Sequence, residues 1–195
     1  MTKPKYLIIA GVNGVGKSTL YTSEGSFFGN TKRINADEIL KANHGDWHRD
    51  ADNLHAMRQA LKEIRNALKN HVSINTETTL AGNGKTQIEL INLAHDEGYT
   101  VSLYYVGVAN VETALARIKQ RVAKGGHGVD ETLVRKRYEQ SLRNLPKIAK
   151  LVDNLYIYDN QKLFDLIYKN EHGIIQDKSY GIDWIKKINS ISKLN

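Results

Sequence analysis

One segment of the sequence strongly limits the folds open to it. The run Gly11-Val12-Asn13-Gly14-Val15-Gly16-Lys17-Ser18 matches the pattern G-x-x-x-x-G-K-S/T in full. Apolar residues 6–10 precede it, and a helical pattern begins at about Lys17. In such a strand–turn–helix unit, glycines let successive backbone N–H groups point at phosphate oxygens, and the helix N-terminus adds partial positive charge. The segment therefore predicts a phosphate-binding loop (P-loop) that binds a nucleoside triphosphate.

The residues of this loop have separate predicted roles. Backbone groups surround the phosphates, so we assign to nucleotide binding Gly11, Asn13, Gly14, Val15 and Gly16. We predict that Lys17 bridges the β- and γ-phosphates, that Ser18 ligates Mg²⁺ and that Thr19 bonds the α-phosphate. No Asn/Thr-Lys-x-Asp segment that would read guanine stands out in the sequence, which favours ATP over GTP.

Strand and helix patterns alternate along most of the chain. Short apolar or β-branched runs predict strands at residues 6–10, 32–35, 71–75, 99–108 and 155–158, with helices between them. This alternation is typical of an α/β fold with a parallel sheet and right-handed crossovers. Together with the P-loop, it predicts a kinase-like P-loop NTPase fold with three layers, a mostly parallel central sheet and a helical lid.

Length and hydropathy indicate one main domain with an appended tail. We expect a P-loop core over residues 1–160 and a C-terminal extension over residues 161–195 that packs on the core. Within the extension, residues 164–168 predict an edge strand. The terminal part predicts a helix from the spacing of Ile182, Trp184, Ile185 and Ile188.

The 195 residues include no cysteine, which excludes disulfides, a thiolate nucleophile and cysteine-ligated zinc. No run approaches the ~20 apolar residues that cross a bilayer. The N-terminus also lacks the pattern of a signal peptide. We therefore expect a protein without membrane segments in a reducing, cytoplasmic location.

The net charge of +7 is concentrated in residues 117–150, which contain ten basic and three acidic side chains. Their pattern predicts two basic helices joined by the hinge Gly125-Gly126-His127-Gly128. We interpret this segment as a lid that closes over phosphates, with Arg121 and Arg135 neutralising charge on the transferred group. The alternative is a basic face that is only solvated. His127 is interpreted as a hinge residue rather than a catalyst.

Two carboxylates follow predicted strands, where ligands of open α/β sheets bind. We predict that Asp37 orients the attacking hydroxyl and accepts its proton; its alternative role is to cap a helix that begins at Glu38. Glu77, with Thr78 and Thr79, is predicted to contact a polar acceptor substrate or a metal-bound water, the alternative being a loop that faces solvent. No apolar strand ends in an aspartate that would make an obvious Walker B site, so the acid that supports the metal stays open at this point.

With these segments in order, the chain resembles the zeta toxin family of P-loop kinases, especially its stand-alone bacterial branch. The P-loop alone is common to many NTPases, whereas the ordered set of matching pieces is more specific. These pieces span roughly residues 5–160 and comprise residues 11–19, Asn35-Ala36-Asp37-Glu38-Ile39, Glu77-Thr78-Thr79-Leu80, Arg121 through Gly125-Gly126-His127 to Arg135-Lys136-Arg137-Tyr138, and Tyr158-Asp159-Asn160.

The resemblance implies an ATP- and Mg²⁺-dependent kinase. Known members phosphorylate the sugar of UDP-N-acetylglucosamine and are neutralised by a small helical antitoxin. By motif, Asp37 matches the family's proton acceptor, Glu77 and Thr79 match its acceptor-substrate contacts, and Arg121 and Arg135 match its phosphate-binding arginines. We therefore expect a small-molecule hydroxyl as acceptor, a UDP-sugar first of all, and an antitoxin as a partner.

Two other hypotheses stay open from the residues. One is a P-loop kinase for a different acceptor, such as a nucleotide, a nucleic-acid end or an antibiotic hydroxyl. A nucleic-acid partner is disfavoured because no basic stripe interleaved with aromatics lies outside the lid segment. The other is a nucleotide-binding switch that hydrolyses ATP slowly. Asp37, Glu77 and two lid arginines favour a transferase, since a closed lid excludes water.

Overall fold

The computed structural model describes residues 3–23 and 25–186. Those residues form one sheet of seven strands. In chain order the strands are β1 (Lys5–Ala10), β2 (Lys32–Ile34), β3 (Ile74–Thr78), β4 (Thr100–Gly107), β5 (Asn154–Asp159), β6 (Asp165–Glu171) and β7 (Ile174–Asp177). None of the helices in the described residues is long and apolar enough to span a membrane.

Helices connect most of these strands. They are α1 (Lys17–Ser23), α2 (Gly25–Phe28), α3 (Ala36–Ala42), α4 (Asp50–Lys69), α5 (Lys85–Asp96), α6 (Val111–Ala123), α7 (Glu131–Ala149) and α8 (Asp183–Lys186). Helix α7 begins with a side-chain cap, since the Asp130 carboxylate accepts a hydrogen bond of 2.9 Å from the Leu133 N–H. Such a cap satisfies an N–H group that has no partner within the helix.

The sheet has the strand order β2-β3-β1-β4-β5-β6-β7. The first five strands are parallel, and β6 and β7 are antiparallel to their neighbours. Because parallel strands end at the same edge, the segments that follow β1, β2 and β3 meet there. This arrangement places the P-loop beside the two predicted acidic segments.

Strand β1 shows why helices cover both faces of the sheet. Tyr6, Ile8 and Ala10 belong to one buried cluster, whereas Leu7 and Ile9 belong to a second. Successive side chains of a strand point to opposite faces, so the two clusters lie on opposite sides of the sheet. Helices α4 and α5 contribute to the first cluster, and α1 and α6 contribute to the second. The predicted three-layer α/β fold is confirmed.

The third strand lies later in the chain than the sequence prediction. We expected a strand at residues 71–75, but His71 has a left-handed φ of 53°, and the Val72 N–H bonds to the Ala67 carbonyl oxygen. These residues therefore form the turn that ends α4, and β3 begins at Ile74. As a result, Glu77 lies within the strand rather than in the loop after it.

The predicted edge strand at residues 164–168 is β6, and it is not at the edge. A tight turn at His172 and Gly173, with φ values of 51° and 82°, leads directly into β7. Two successive residues with positive φ are typical of a type I′ hairpin turn, whose twist matches that of paired strands. Strand β7 therefore adds a further antiparallel neighbour to β6.

The described part of the C-terminal segment packs on the main sheet. Trp184 in α8 is 1% exposed, and its Nε1 donates a hydrogen bond of 2.8 Å to the Asp159 carboxylate at the end of β5. The indole lies so close to Gly107 that a Cβ there would be 2.3 Å from the ring. Ile188, the last residue of the predicted terminal helix, lies outside the described residues. The division into a core of residues 1–160 and an extension of residues 161–195 stays a proposal.

We expect Trp184→Ala to lower the free energy of unfolding by about 3–5 kcal/mol, because it removes a large buried side chain and leaves a cavity. Urea denaturation would measure the change. Tyr180→Ala is the matched control, since Tyr180 is fully exposed, and its effect should stay within about 0.5 kcal/mol. A loss below about 1 kcal/mol for Trp184→Ala would contradict a structural role for α8.

Candidate active site

The P-loop connects β1 to α1 and approaches two other parts of the fold closely. Gly14 and Gly16 have φ values of 84° and 103°, which glycine adopts without strain. A Cβ at Gly14 would lie 2.4 Å from the Ala114 carbonyl oxygen in α6, and one at Gly16 would lie 2.6 Å from Asn160 Nδ2. Glycine at these two positions therefore lets the loop pack closely against α6 and the end of β5. This packing holds the backbone of the loop in one conformation.

Asn160 is a buried support of this loop. Its Nδ2 donates a hydrogen bond of 2.7 Å to the Val15 carbonyl oxygen, and its backbone N–H donates one of 2.9 Å to the Gly107 carbonyl oxygen. Its own carbonyl accepts a hydrogen bond of 2.8 Å from Arg117 in α6. Asn160 thus joins the P-loop, the end of β4 and a lid helix, although in the sequence it stood out only through the family resemblance.

We expect Asn160→Ala to weaken ATP binding about tenfold and to cost about 1–3 kcal/mol of stability, because the Val15 carbonyl loses a buried partner. Calorimetric titration with ATP and urea denaturation would measure both effects. Asn154→Ala is the control, since Asn154 is similarly buried on β5 and bonds to Ser102, away from the P-loop. It should lose stability and keep its ATP affinity. Unchanged ATP affinity in Asn160→Ala would contradict the support role.

Lys17 lies where several charged groups meet. Its Nζ donates a hydrogen bond of 3.2 Å to the Val12 carbonyl oxygen and lies 4.0 Å from the Glu77 carboxylate. Burial lowers the pKa of Lys17, the carboxylates of Glu77 and Asp37 oppose that shift, and Arg121 and Arg137 add to it. These five groups comprise three cations and two carboxylates, so their excess positive charge favours an anion such as phosphate.

Glu77 is held in a dense network beside the P-loop, because β3 lies next to β1. Its carboxylate accepts hydrogen bonds of 2.6 Å from Arg33, 2.6 Å from Asn35 and 3.2 Å from the Ser18 hydroxyl. Its side chain is 10% exposed, so the alternative of a loop residue facing solvent is wrong. The acid that lies beside the predicted metal ligand Ser18 is therefore Glu77.

Arg33 and Asn35 are site residues that the sequence analysis did not assign. Arg33 also donates a 2.6 Å hydrogen bond to Glu38, and its guanidinium lies 3.9 Å from the centre of the Tyr21 ring. Arg33 pairs with Asn75 in the β2–β3 register. Since residues two apart share a face of a strand, the spacings 33–35 and 75–77 could have indicated a common network once β2 and β3 were paired.

Asp37 is available for chemistry because another residue caps α3. The N-cap is Asn35, whose side-chain oxygen accepts a hydrogen bond of 2.8 Å from the Asp37 backbone N–H. The alternative of a helix-capping Asp37 is therefore wrong. The Asp37 side chain is exposed and lines a cavity. Its carboxylate has no hydrogen-bond partner among the described residues.

A cavity of about 1110 Å³ lies between the strand ends and the lid segment. It brings together most of the predicted site side chains, namely Asn13, Lys17, Asp37, Glu77, Thr78 and Thr79. The turn after Thr79 is shaped by Leu80, a buried residue with a left-handed φ of 52°. Asn144 of α7 donates a hydrogen bond of 2.8 Å to the Leu80 carbonyl. Helix α7 thus supports the segment that carries the two threonines.

The lid places Arg137, and not Arg135, in this cavity. Arg137 lines the cavity and donates a hydrogen bond of 2.9 Å to the Asn13 side chain of the P-loop. Arg135 instead pairs with Glu112 and Glu131, at 2.6 and 2.7 Å. The helical spacing explains the difference, because residues three or four apart lie on the same face of a helix. Arg137 shares a face with the buried Val134, whereas Arg135 shares a face with the exposed Glu131. The assignment of Arg135 to the phosphates stays a prediction, and the structure adds Arg137 as a second candidate.

Arg121 lies near the site without lining the main cavity. It is exposed at the end of α6 and borders a smaller depression with Arg117 and Lys124. Burial is the main cause of the lowered pKa of Lys17, and the charge of Arg121 adds to that shift. The phosphate-binding role of Arg121 stays a prediction.

His127 packs the lid hinge against the segment before α4. Its ring lies 5.0 Å from that of Trp47, with 29° between the ring planes, and a Cβ at Gly128 would lie 2.7 Å from the indole. Burial lowers the pKa of His127, Asp37 opposes the shift, and Arg121 and His48 add to it. The lowered pKa favours the neutral imidazole, and the ring has a packing contact at the cavity wall.

Comparison with known proteins bears on the family and the fold of this chain. The zeta toxin family model matches residues 1–172, which is most of the chain. The chain belongs to the zeta toxin family. A relative, an uncharacterized protein of Haemophilus influenzae, is 38% identical over 136 residues, which cover 69% of this chain and 92% of that protein.

Solved structures share the fold of this zeta toxin family member. The complex of AvrRxo1-ORF1 and AvrRxo1-ORF2 with sulphate ions matches with a TM-score of 0.74 at 14% identity, over 95% of this chain and 63% of that chain. This chain therefore spans less than two thirds of that protein. The PezAT chromosomal toxin–antitoxin system of Streptococcus pneumoniae matches with a TM-score of 0.66 at 16% identity, over 96% of this chain and 79% of that chain.

Membership of the zeta toxin family makes this chain a phosphotransferase, an ATP-dependent kinase. The predicted kinase-like fold and the predicted enzyme class are confirmed. The individual roles of the site residues and the identity of the acceptor are matters of proposal.

Proposed function

We propose that this chain transfers the γ-phosphate of ATP to a hydroxyl group of a small molecule bound in the 1110 Å³ cavity. The observation that carries the proposal is the unengaged carboxylate of Asp37, which lines the same cavity as Lys17 and Arg137. A base and two phosphate-binding cations around one cavity suit transfer to a bound hydroxyl.

In the proposed step, Asp37 orients the acceptor hydroxyl and accepts its proton while the hydroxyl oxygen bonds to the γ-phosphorus. The bond between the γ-phosphorus and the bridging oxygen breaks, and ADP leaves with that oxygen. Lys17 and Arg137 stabilise the charge on the transferred group, and the N–H groups of the P-loop hold the β-phosphate.

The residues beside the P-loop fit a magnesium ion. The Ser18 hydroxyl and the Glu77 carboxylate lie 3.2 Å apart, and both are hard oxygen donors of the kind that Mg²⁺ prefers. We assign Ser18 as the ligand and Glu77 as its acidic support through water. When bound, Mg²⁺ neutralises charge on the β- and γ-phosphates. No group of three or more His, Asp or Glu side chains suited to a metal occurs in residues 3–23 and 25–186, so phosphate and water oxygens would complete the coordination.

A UDP-activated amino sugar such as UDP-N-acetylglucosamine is the first acceptor to test, because the family resemblance implies it. Glu77, Thr78 and Thr79 would contact its polar groups. A small helical antitoxin is the proposed partner, and the fold shared with the PezAT toxin–antitoxin system supports it. We place the reaction in the cytoplasm.

Mass spectrometry tests the proposed function directly. A panel of UDP-sugars and other hydroxyl compounds would be incubated with the protein, ATP and Mg²⁺, beside a Lys17→Met control. We expect a compound on the panel to gain one phosphate with the wild type and not with the variant. Release of inorganic phosphate from ATP at the same rate with and without every compound would instead support the ATPase switch.

A further inference from the structure

We infer that Gln140 and Asn144 of α7 are positioning residues for the acceptor, because they fix the turn after β3 and so set where Thr79 meets the acceptor. We define the acceptor turn as residues 80–84, which follow Thr79 and lead into α5. The inference rests on the proposed kinase function and deepens it. It concerns two side chains that lie outside the cavity lining and act through the turn rather than on the reacting atoms.

The acceptor turn has a backbone conformation that most residues rarely adopt. Leu80 has a left-handed φ of 52°, which is uncommon for a residue with a bulky side chain, and Gly82 and Gly84 have φ values of 73° and 76°. Leu80 is also buried, so its side chain is fixed in the core. A backbone of this kind persists only where surrounding contacts hold it, and it is common at functional sites. The contacts that hold the acceptor turn are therefore important for the site.

Helix α7 supplies these contacts from two side chains. The Asn144 Nδ2 donates hydrogen bonds of 2.8 Å to the Leu80 carbonyl oxygen and 3.1 Å to the Gly82 carbonyl oxygen. The Gln140 Oε1 accepts a hydrogen bond of 2.8 Å from the Gly82 N–H. Both polar backbone groups of Gly82 are thus bonded to α7. The position of the acceptor turn therefore follows the position of the helix.

The hydrogen bonding of Asn144 favours a role in fixing the turn over a role in packing. Asn144 is 1% exposed, and its Oδ1 has no hydrogen-bond partner among the described residues. A buried polar atom without a partner is unfavourable, because it has lost its hydration. An apolar side chain of similar size would avoid this loss, but it could not donate to the two carbonyl oxygens of the turn. The amide is therefore suited to holding the turn.

The same face of α7 also reaches the phosphate side of the site. Arg137 precedes Gln140 by three residues and Asn144 by seven, a spacing that places all three on one side of the helix. Arg137 donates a hydrogen bond of 2.9 Å to Asn13 of the P-loop. One helix thus contacts both the acceptor turn and the P-loop, which relates the position of the acceptor hydroxyl to that of the γ-phosphate. This relation matters, since a misplacement of about 1 Å can lower a rate about 10²-fold.

The first test asks whether Gln140 holds the turn, and it needs no acceptor. Hydrogen exchange at the Gly82 N–H would be followed by NMR in protein saturated with ADP and Mg²⁺. We expect exchange to be about tenfold faster or more in Gln140→Ala, because the N–H loses its partner. Gln140→Glu should exchange as the wild type does, since its carboxylate still offers an oxygen to the N–H. Unchanged exchange in Gln140→Ala would overturn the inference.

Glu139→Ala is the matched control for this experiment. Glu139 is exposed and adjacent to Gln140 on α7, so its loss should leave the exchange of the Gly82 N–H unchanged. ADP affinity equal to that of the wild type would verify the folding of each variant.

The second test separates positioning of the acceptor from a general loss of structure. Steady-state transfer to the compound that gains phosphate in the mass-spectrometric panel would be measured for these variants and for Asn144→Ala. We expect kcat/KM for the acceptor to fall about tenfold or more in Gln140→Ala and Asn144→Ala, while KM for ATP stays within about twofold. Gln140→Glu should recover the wild-type value.

Two results of the second test would overturn the inference. One is an equal loss for the acceptor and for ATP, and the other is the absence of recovery in Gln140→Glu. If the wild type transfers phosphate to no compound of the panel, the proposed function fails. The exchange measurement is separate from that failure, because it decides without any phosphate transfer whether Gln140 holds the acceptor turn.

Discussion

Replacing Asp37 by asparagine is expected to lower the rate of phosphate transfer about 10²–10⁴-fold, the range that a positioned general base supplies. The amide keeps the shape of the side chain but cannot take the proton of the acceptor hydroxyl. ATP affinity should stay within about twofold, since Asp37 lies after β2 and outside the P-loop. Single-turnover transfer, measured by mass spectrometry of the phosphorylated acceptor, and calorimetric titration with ATP would separate the two quantities.

Asp96→Asn is the matched control for this experiment. Asp96 is an exposed carboxylate at the end of α5, outside the cavity lining, so its loss should leave transfer unchanged. If Asp37→Asn kept more than about a tenth of the wild-type rate, the proton acceptor would have to be another group. Glu77 would then be the first to examine, although its three hydrogen-bond partners leave it less accessible.

Replacing Arg137 by alanine is expected to lower the rate of transfer about 10²–10³-fold, the loss typical of a donor that stabilises charge in a transition state. Arg137 contacts Asn13 of the P-loop and lines the cavity, so in the proposed mechanism it stabilises the charge that develops on the transferred group. The turnover number should fall more than ATP affinity, because that charge is greatest in the transition state. Steady-state kinetics over a range of ATP concentrations would show the split.

The variant Arg135→Ala tests whether Arg137 or Arg135 contributes more to phosphate transfer. Arg135 is paired with Glu112 and Glu131 on the exposed side of α7, so its loss should change the rate by about threefold or less, since exposed ion pairs contribute little. The reverse ranking of the two variants would mean that the lid rearranges on nucleotide binding and brings Arg135 to the phosphates. The measurement thus compares the family-based assignment with the structural one.

Much of the fold followed from local patterns in the sequence. The strands predicted at residues 6–10 and 99–108 each depend on a few neighbouring residues, and the structure has β1 and β4 at those places. The start of β3 was mispredicted because a backbone turn at His71 followed α4. Strand β7 was missed although the two-residue turn before it is a local signal.

The candidate site was likewise predictable from the sequence only where it depends on neighbouring residues. The P-loop was readable because its glycines act through local backbone geometry and lie in the same short run, residues 11–18, as Lys17 and Ser18. Glu77 could be named from its position after a strand, but its partners could not, since Arg33 and Asn35 reach it only through the pairing of β2 with β3. Asn160 likewise supports Val15 across a long stretch of chain.

The sequence by itself determined the fold class, the nucleotide-binding loop and the family, because each is encoded by short-range spacing or by an ordered set of motifs. Only the tertiary structure decided which arginine of α7 lines the cavity, and which residue caps α3 and so leaves the Asp37 carboxylate without a hydrogen-bond partner among the described residues. These outcomes depend on how separate helices and strands are placed against one another. The contacts that settle them, such as Arg137 with Asn13, join residues far apart in the chain.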